Sequence, residues 1–268
     1  MMLSTKARHL LMTFMGIGLA FIYVPLIIVV LNSFNASKTF SWPPRDLTLN
    51  WWNKAIANTG VREALGWSII AGISATLIAL ILGTALAFAG ARYGFFGREA
   101  ISLLVVLPIS LPGIITGLAL NNAFTQTLGI GTSAFTIIVG HATFCIVIVY
   151  NNAIARLKRL GTSLQEASMD LGANGFTTFR LITLPNISSA LFAGGLLAFG
   201  LSFDEIVVTT FTAGPGIQTL PVWIFNNLFR PNQAPIVNVV AATLIVISVL
   251  PIYLSQRLST DTSSGGRF

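Results

Sequence analysis

The sequence predicts an all-α, polytopic membrane protein with six transmembrane helices. Three observations predict it: only 9% of the 268 residues are charged, mean hydropathy is +0.81, and six separate apolar stretches are long enough to cross a bilayer. Soluble domains carry about 25% charged residues, so a chain that is 54% hydrophobic cannot clothe a water-facing surface. A helix needs about 20 mostly apolar residues to traverse the hydrocarbon. The stretches lie at roughly 10–32, 65–91, 101–124, 133–155, 187–211 and 236–256.

The first stretch follows Lys6 and Arg8, as in a secretory leader. It continues to Leu31, too long for a leader's apolar region, and no small-residue cleavage pattern follows, so it reads as a retained span. In the loop 33–64, Trp51 and Trp52 read as belt residues anchoring a short helix in the lipid interface. The third stretch carries Pro108, Pro112 and Gly113, which kink or interrupt it because each proline removes a ladder hydrogen bond. Two readings stay open there: a broken helix lining a cavity, or kinked packing without a ligand. The fourth holds Cys145, which as the one cysteine excludes an intrachain disulfide, and His141, which lacks a second ligand at metal spacing and reads as a hydrogen-bonded core residue. No metal site is expected.

In the fifth stretch Ala190, Gly194, Ala198 and Ser202 recur every four residues. Such a stripe lets another helix approach closely, either within the bundle or from a second chain. Asp204 and Glu205 fall in its outer half, about seven residues or roughly 10 Å below its end. Carboxylates inside a span are costly and normally face a bundle interior, a partner or an aqueous path. Adjacent helical residues diverge by about 100°, so Asp204 is favoured for a path and Glu205 for a structural role.

A net charge of +7 and a pI near 10.2 invite a nucleic-acid reading. The basic residues form no groove-reading element, which excludes it; in a membrane protein they report orientation. With both termini inside, the inner segments hold Lys6, Arg8, Arg92, Arg98, Arg156, Lys158, Arg159, Arg180, Arg257 and Arg267. The outer segments hold only Lys38, Arg45, Lys54, Arg62 and Arg230. Both termini and the loops 92–100 and 156–186 are therefore expected in the cytoplasm, and the chain divides into 1–64, a core of 65–257 and a tail of 258–268. An enzyme is not expected, since no H-E-x-x-H, G-x-S-x-G or evident Cys–His pair occurs.

The cytoplasmic loop 160–186 has a pattern of its own. Ser163-Leu164-Gln165-Glu166 fits a capping box. Leu164, Ala167, Ser168 and Leu171 then share one helical face. Gly172 can end that helix in the left-handed conformation, Asn174 can cap a second, and Pro185 is expected to stop it. A short helix with an apolar face, held off the bilayer core, needs a partner groove.

These residues resemble a known family. Glu166-Ala167-Ser168, Gly172, Ile182, Leu184 and Pro185 are similar to the EAA loop of binding-protein-dependent ABC import permeases, which reads EAA, three residues, G, nine residues, I-x-L-P. Ser168 in place of the second alanine is the one departure. The resemblance implies a type I ABC importer transmembrane domain in the bacterial inner membrane, whose loop helix docks in a cleft of the cytoplasmic ATPase. It further implies a second homologous permease subunit, an ATPase dimer and a periplasmic substrate-binding protein. No G-x-x-x-x-G-K-[ST] occurs, so ATP and magnesium are expected on the partner ATPase and no cofactor on this chain.

Leu201-Ser202-Phe203-Asp204-Glu205, Phe211 to Gly216, Thr219-Leu220-Pro221 and Leu107 to Gly117 look like the C-type subunit of the spermidine/putrescine branch. The likeness implies polyamine import, with Asp204 as counter-charge to an ammonium group and Trp223 offering an aromatic face, although interfacial anchoring suits Trp223 and Phe225 better. Relatives that carry 4-aminobutyrate, opines or other small organic solutes keep the substrate open. A channel or secondary transporter is a remote alternative, having no use for a docking helix of this spacing.

The charge bias predicts the outcome of impermeant thiol labelling of intact cells. In a Cys145→Ala background, Ser41→Cys should label and Ser163→Cys should not; the opposite pattern reverses the orientation.

Overall fold

The computed structural model describes residues 4–38, 43–44, 46–94, 96–230 and 233–247. Ser41, Trp42 and Arg45 of the first loop, residues 248–256 of the expected sixth span, Arg257 and the tail 258–268 with Arg267 lie outside the described residues. In chain order the helices begin with α1 (Thr5–Asn32), α2 (Asn50–Ala57), α3 (Thr59–Arg92), α4 (Arg98–Ser110), α5 (Gly113–Asn122) and α6 (Ala134–Arg159). They continue with α7 (Ser163–Asp170), α8 (Gly175–Thr178), α9 (Leu184–Phe203), α10 (Val207–Thr212), α11 (Leu220–Asn227) and α12 (Ala234–Ile247). Wider π-helical turns, Ala123–Thr127 and Phe179–Thr183, extend α5 and join α8 to α9. Among the described residues the only extended pairing is the bridge Asn35–Leu47.

Helices α1, α3, α6 and the continuous run Gly175–Phe203 are each long and apolar enough to cross a membrane. The expected third span is two arms, α4 and α5 with its π-helical extension, bent by 108° at Leu111–Pro112. Pro112 sits at the N-cap of α5, where a missing N–H costs nothing, whereas Pro108 is carried inside α4. The expected fifth span is also broken: α9 ends at Phe203 and α10 begins at Val207.

The described residues divide into two compact units, one within 4–62 and 224–247, the other within 63–223. In the first, α1 buries only Asn32, and a helix apolar all round must find lipid or another chain. Helix α2 forms where the paired tryptophans suggested a short helix, but Trp51 does not sit among headgroups. Its ring is buried, donates from Nε1 to the Asn35 carbonyl at 3.1 Å and lies under the Lys54 ammonium at 4.6 Å. Trp52 stacks on Phe34 with ring centres 5.2 Å apart. The Trp51 indole N–H needs an acceptor once desolvated, and the turn after α1 supplies it.

The second unit is built on α6. Ile137, His141, Cys145, Val149, Ala153 and Leu157 form a fully buried stripe at every fourth residue. The small-residue stripe of α9 packs on it, inside the chain. His141 meets Ser202, Cys145 donates to the Ala198 carbonyl at 3.3 Å, and a Cβ at Gly194 would lie 3.5 Å from the Val149 Cα. Each step of four along α6 is thus matched by a step of four along α9 in the opposite direction. Helix α3 supplies a second small face, with Ser68, Gly72, Ala75, Ala79, Gly83 and Ala87 buried. A Cβ at Gly83 would stand 3.0 Å from both the Ile146 carbonyl oxygen and the Val149 Cβ.

Gly83 and Gly66 share α3, yet Gly66 has no atom within 4 Å of where a Cβ would be. Overpacking typically costs about 1–3 kcal/mol. Gly83→Val should lower the thermal unfolding midpoint of the purified chain by several degrees while Gly66→Val leaves it nearly unchanged; equal shifts would contradict the α3–α6 packing.

Candidate functional site

Two groups of residues singled out by sequence lie at opposite ends of α9, whose 20 residues span about 30 Å at 1.5 Å per residue. At one end is the loop between α6 and α9. Gly161, with φ of +64°, turns the chain just beyond α6, and α7 starts at Ser163 with Thr162 as its N-cap. The expected Ser163–Glu166 capping box therefore does not form. Only Gly161 and Thr162 are needed to enter α7, so Ser163 is already its first residue. The amides of Gln165 and Glu166 instead donate to the Thr162 carbonyl at 2.9 and 3.0 Å.

Gly172 closes α7 as expected. With φ of +87° it donates to the Met169 carbonyl at 2.8 Å, and Ala173 donates to that of Ser168 at 3.1 Å. This is the paired Schellman arrangement, which needs a left-handed residue where glycine carries no side-chain penalty. Asn174 then caps α8, its Oδ1 accepting the Thr177 N–H at 2.8 Å. Pro185 does not stop this second helix. The π-helical turn Phe179–Thr183 absorbs the missing N–H, and the Asn186 side-chain amide donates to the Ile182 carbonyl at 2.7 Å, so helix runs unbroken from Gly175 to Phe203.

The motif residues take distinct positions. Glu166 and Ala167 are exposed, Ile182 and Leu184 half-buried, and Pro185 exposed. Ser168 turns inward and its hydroxyl meets that of Thr178 at 3.1 Å, so the one departure from the family pattern adds a contact between α7 and α8 that alanine cannot make. Gln165, which no motif marks, donates to the Thr183 hydroxyl at 2.7 Å. Arg156 on α6 donates to the Asn186 carbonyl at 3.1 Å, and Arg92 on α3 to the Leu157 carbonyl at 3.2 Å. Around these bonds Leu164 is 55%, Met169 50% and Leu171 90% exposed, with Phe176 on α8 at 73%.

At the other end lies the break in the fifth span. Asp204 is the C-cap of α9 and exposed, whereas Glu205 is half-buried. The Glu205 carboxylate accepts the Val208 N–H at 2.8 Å, satisfying an amide that the start of α10 leaves free. Short α10 is then pinned on two sides. Thr136 of α6 donates to the Thr212 carbonyl at 2.7 Å, and Asn121 of α5 donates to the Phe211 carbonyl at 2.6 Å. A Cβ at Gly117 would meet the Phe211 ring at 2.6 Å and one at Gly113 would meet Val207 at 3.4 Å, so the first turns of α5 and α10 lie side by side. The breaks in spans three and five are neighbours.

Trp223 stands apart on α11, downstream of the Gly214-Pro215-Gly216 turn, and is buried. A covered ring is not a headgroup anchor; Phe225, 58% exposed, is the open aromatic of that helix. The start of α11 is fixed by the Leu220 N–H donating to Ser68 Oγ at 2.7 Å.

The chain as a whole is similar to known proteins. A family model described as "Binding-protein-dependent transport system inner membrane component" matches residues 75–263. The spermidine/putrescine transport system permease protein PotC of Escherichia coli is 32% identical over 253 residues, 94% of each chain. The putrescine transport system permease protein PotI of Escherichia coli is 34% identical over 255 residues, 90% of this chain and 89% of that one. Among solved structures, a chain of a bacterial ABC transporter involved in the import of the acidic polysaccharide alginate superposes with a TM-score of 0.72, covering 97% of this chain and 99% of that one. At 17% identity that likeness is one of fold.

Proposed function

The chain belongs to the family of inner-membrane components of binding-protein-dependent transport systems, and from that membership we propose that it lines half of an ATP-driven import path for a polyamine and is coupled to a cytoplasmic ATPase through α7. It is an all-α, multi-pass permease subunit of an ABC importer, with the type I membrane-domain fold. The reading places both termini and the 160–186 loop in the cytoplasm, within a permease core of 65–257. It requires a second permease subunit, an ATPase dimer that binds the ATP and magnesium, and a periplasmic binding protein that delivers the solute.

The observation that carries the proposal is the exposure of four large apolar side chains on this loop, Leu164, Met169, Leu171 and Phe176. These groups sit on short helices whose inward sides are fastened by Gln165–Thr183 and Ser168–Thr178. Apolar groups presented on a rigid base gain about 25 cal/mol per Å² when a complementary groove covers them. Since α8 and α9 are continuous, displacement of the docked loop passes along one rod toward the break at Asp204.

Charge supports the substrate class. Putrescine and spermidine are chains of ammonium groups, and Asp204 offers an exposed acidic side chain as their counter-charge. A carboxylate–ammonium pair at 4 Å is worth about 1 kcal/mol in bulk water and about 4 kcal/mol at an effective dielectric of 20. One such contact attracts a cation without trapping it, as passage requires. Glu205 is committed to the α10 amide and is assigned a structural role.

Ala167→Arg places a charged, long side chain on the docking face, so the variant should insert normally yet fail to co-purify with the ATPase and lose most uptake. Full uptake by a well-expressed variant removes the coupling assignment. Asp204→Asn keeps volume and deletes charge, so polyamine uptake should fall severalfold while ATPase stimulation by the loaded binding protein persists; Glu205→Gln should act on assembly or stability instead. Unchanged uptake kinetics in Asp204→Asn would leave the polyamine reading to family likeness alone.

A further inference from the structure

The register of α6 against its neighbours changes at one residue. Up to His141, α6 and α9 advance together in opposite directions, with Val149 beside Gly194, Cys145 beside Ala198 and His141 beside Ser202. Beyond it, α6 meets α10 instead: Thr209 and Val208 lie against His141 and Gly140, and Thr212 against Thr136. The buried His141 ring touches both elements, Nδ1 at 2.7 Å from Ser202 Oγ and Nε2 at 2.8 Å from Thr209 Oγ1. In an unbroken helix those two residues would stand roughly 10 Å apart along the axis. The contact joins the two sides of the break, and the residues between belong to neither helix. Asp204 is one of them, and it is exposed.

The proton pattern is fixed as well. Thr209 donates its hydroxyl proton to the Glu205 carbonyl at 2.8 Å, so toward the ring it only accepts, and Nε2 carries the hydrogen. In the neutral ring Nδ1 then accepts from Ser202. The site calls for one donor and one acceptor a ring's width apart.

We propose that His141 is a positioning residue for transport: by joining Ser202 on α9 to Thr209 on α10 it holds span five at its break and with it the position of the exposed Asp204. The inference rests on the reading of Asp204 as a path residue for its transport consequence, but the pin itself can be measured separately. A glutamine amide supplies one acceptor and one donor; leucine supplies bulk and neither.

The test measures hydrogen exchange across 205–213 in the assembled transporter, together with maximal polyamine uptake and ATPase stimulation by loaded binding protein. His141→Leu should speed exchange there by about tenfold or more as the pinned segment opens locally. It should lower maximal uptake severalfold with ATPase stimulation retained, and His141→Gln should recover most of both. If the leucine variant does not assemble, Thr209→Val and Ser202→Ala each delete one bond, keep the ring, and should each raise exchange. Equal behaviour of the leucine and glutamine variants, or faster exchange with unchanged uptake, overturns the proposal. Normal uptake in Asp204→Asn beside an intact leucine–glutamine contrast would retire the path reading and leave the pin standing.

Discussion

Hydrocarbon offers no water to a stranded N–H or C=O, so a membrane chain interrupts a helix only where its own side chains take over the lost bonds. That constraint organises the second unit. The break after α9 exposes the first amides of α10, and the Glu205 carboxylate accepts one of them. The far end of α10 frees carbonyls, which Asn121 and Thr136 satisfy from two different helices. Even the Glu205 carbonyl, inside the break, receives the Thr209 hydroxyl. With the backbone cared for by its neighbours, Asp204 is left as the polar group that the break does not use for itself.

The same economy shapes the other end of α9. A proline at position 185 would ordinarily end a helix, yet a widened turn and the Asn186 amide carry the helix through it. One rigid element therefore joins the surface loop to the break. Small residues on α3 and α9 bring that rod close to α6, where Gly83 and Gly194 leave no room for a larger group. Close packing of this kind transmits displacement rather than absorbing it, which is what the proposed coupling requires.

Much of this was legible in the sequence because it follows from composition and spacing. Long apolar runs place the spans, and Gly172 turns left-handed where a helix must end. The His141 core reading also stands, since a histidine without metal-spaced partners on an apolar face needs hydrogen bonds. What was not legible depends on which residue arrives first or on distant partners. The capping box failed because Gly161 brings the chain into α7 one residue early. Trp51 looked like a headgroup anchor because nothing in its neighbourhood announces the Asn35 carbonyl sixteen residues away. The break at Asp204 has no proline or glycine to mark it. It is set by contacts from α5 and α6, more than sixty residues earlier in the chain, and local propensity does not see them.

The central claim is that this chain passes its solute only when an ATPase grips α7 and a binding protein delivers from the other side. Proteoliposomes holding this chain, its partner permease and the ATPase test it directly, through uptake of labelled putrescine with and without enclosed ATP and external binding protein. Accumulation that requires both is the result predicted; uptake that continues without ATP would contradict the account.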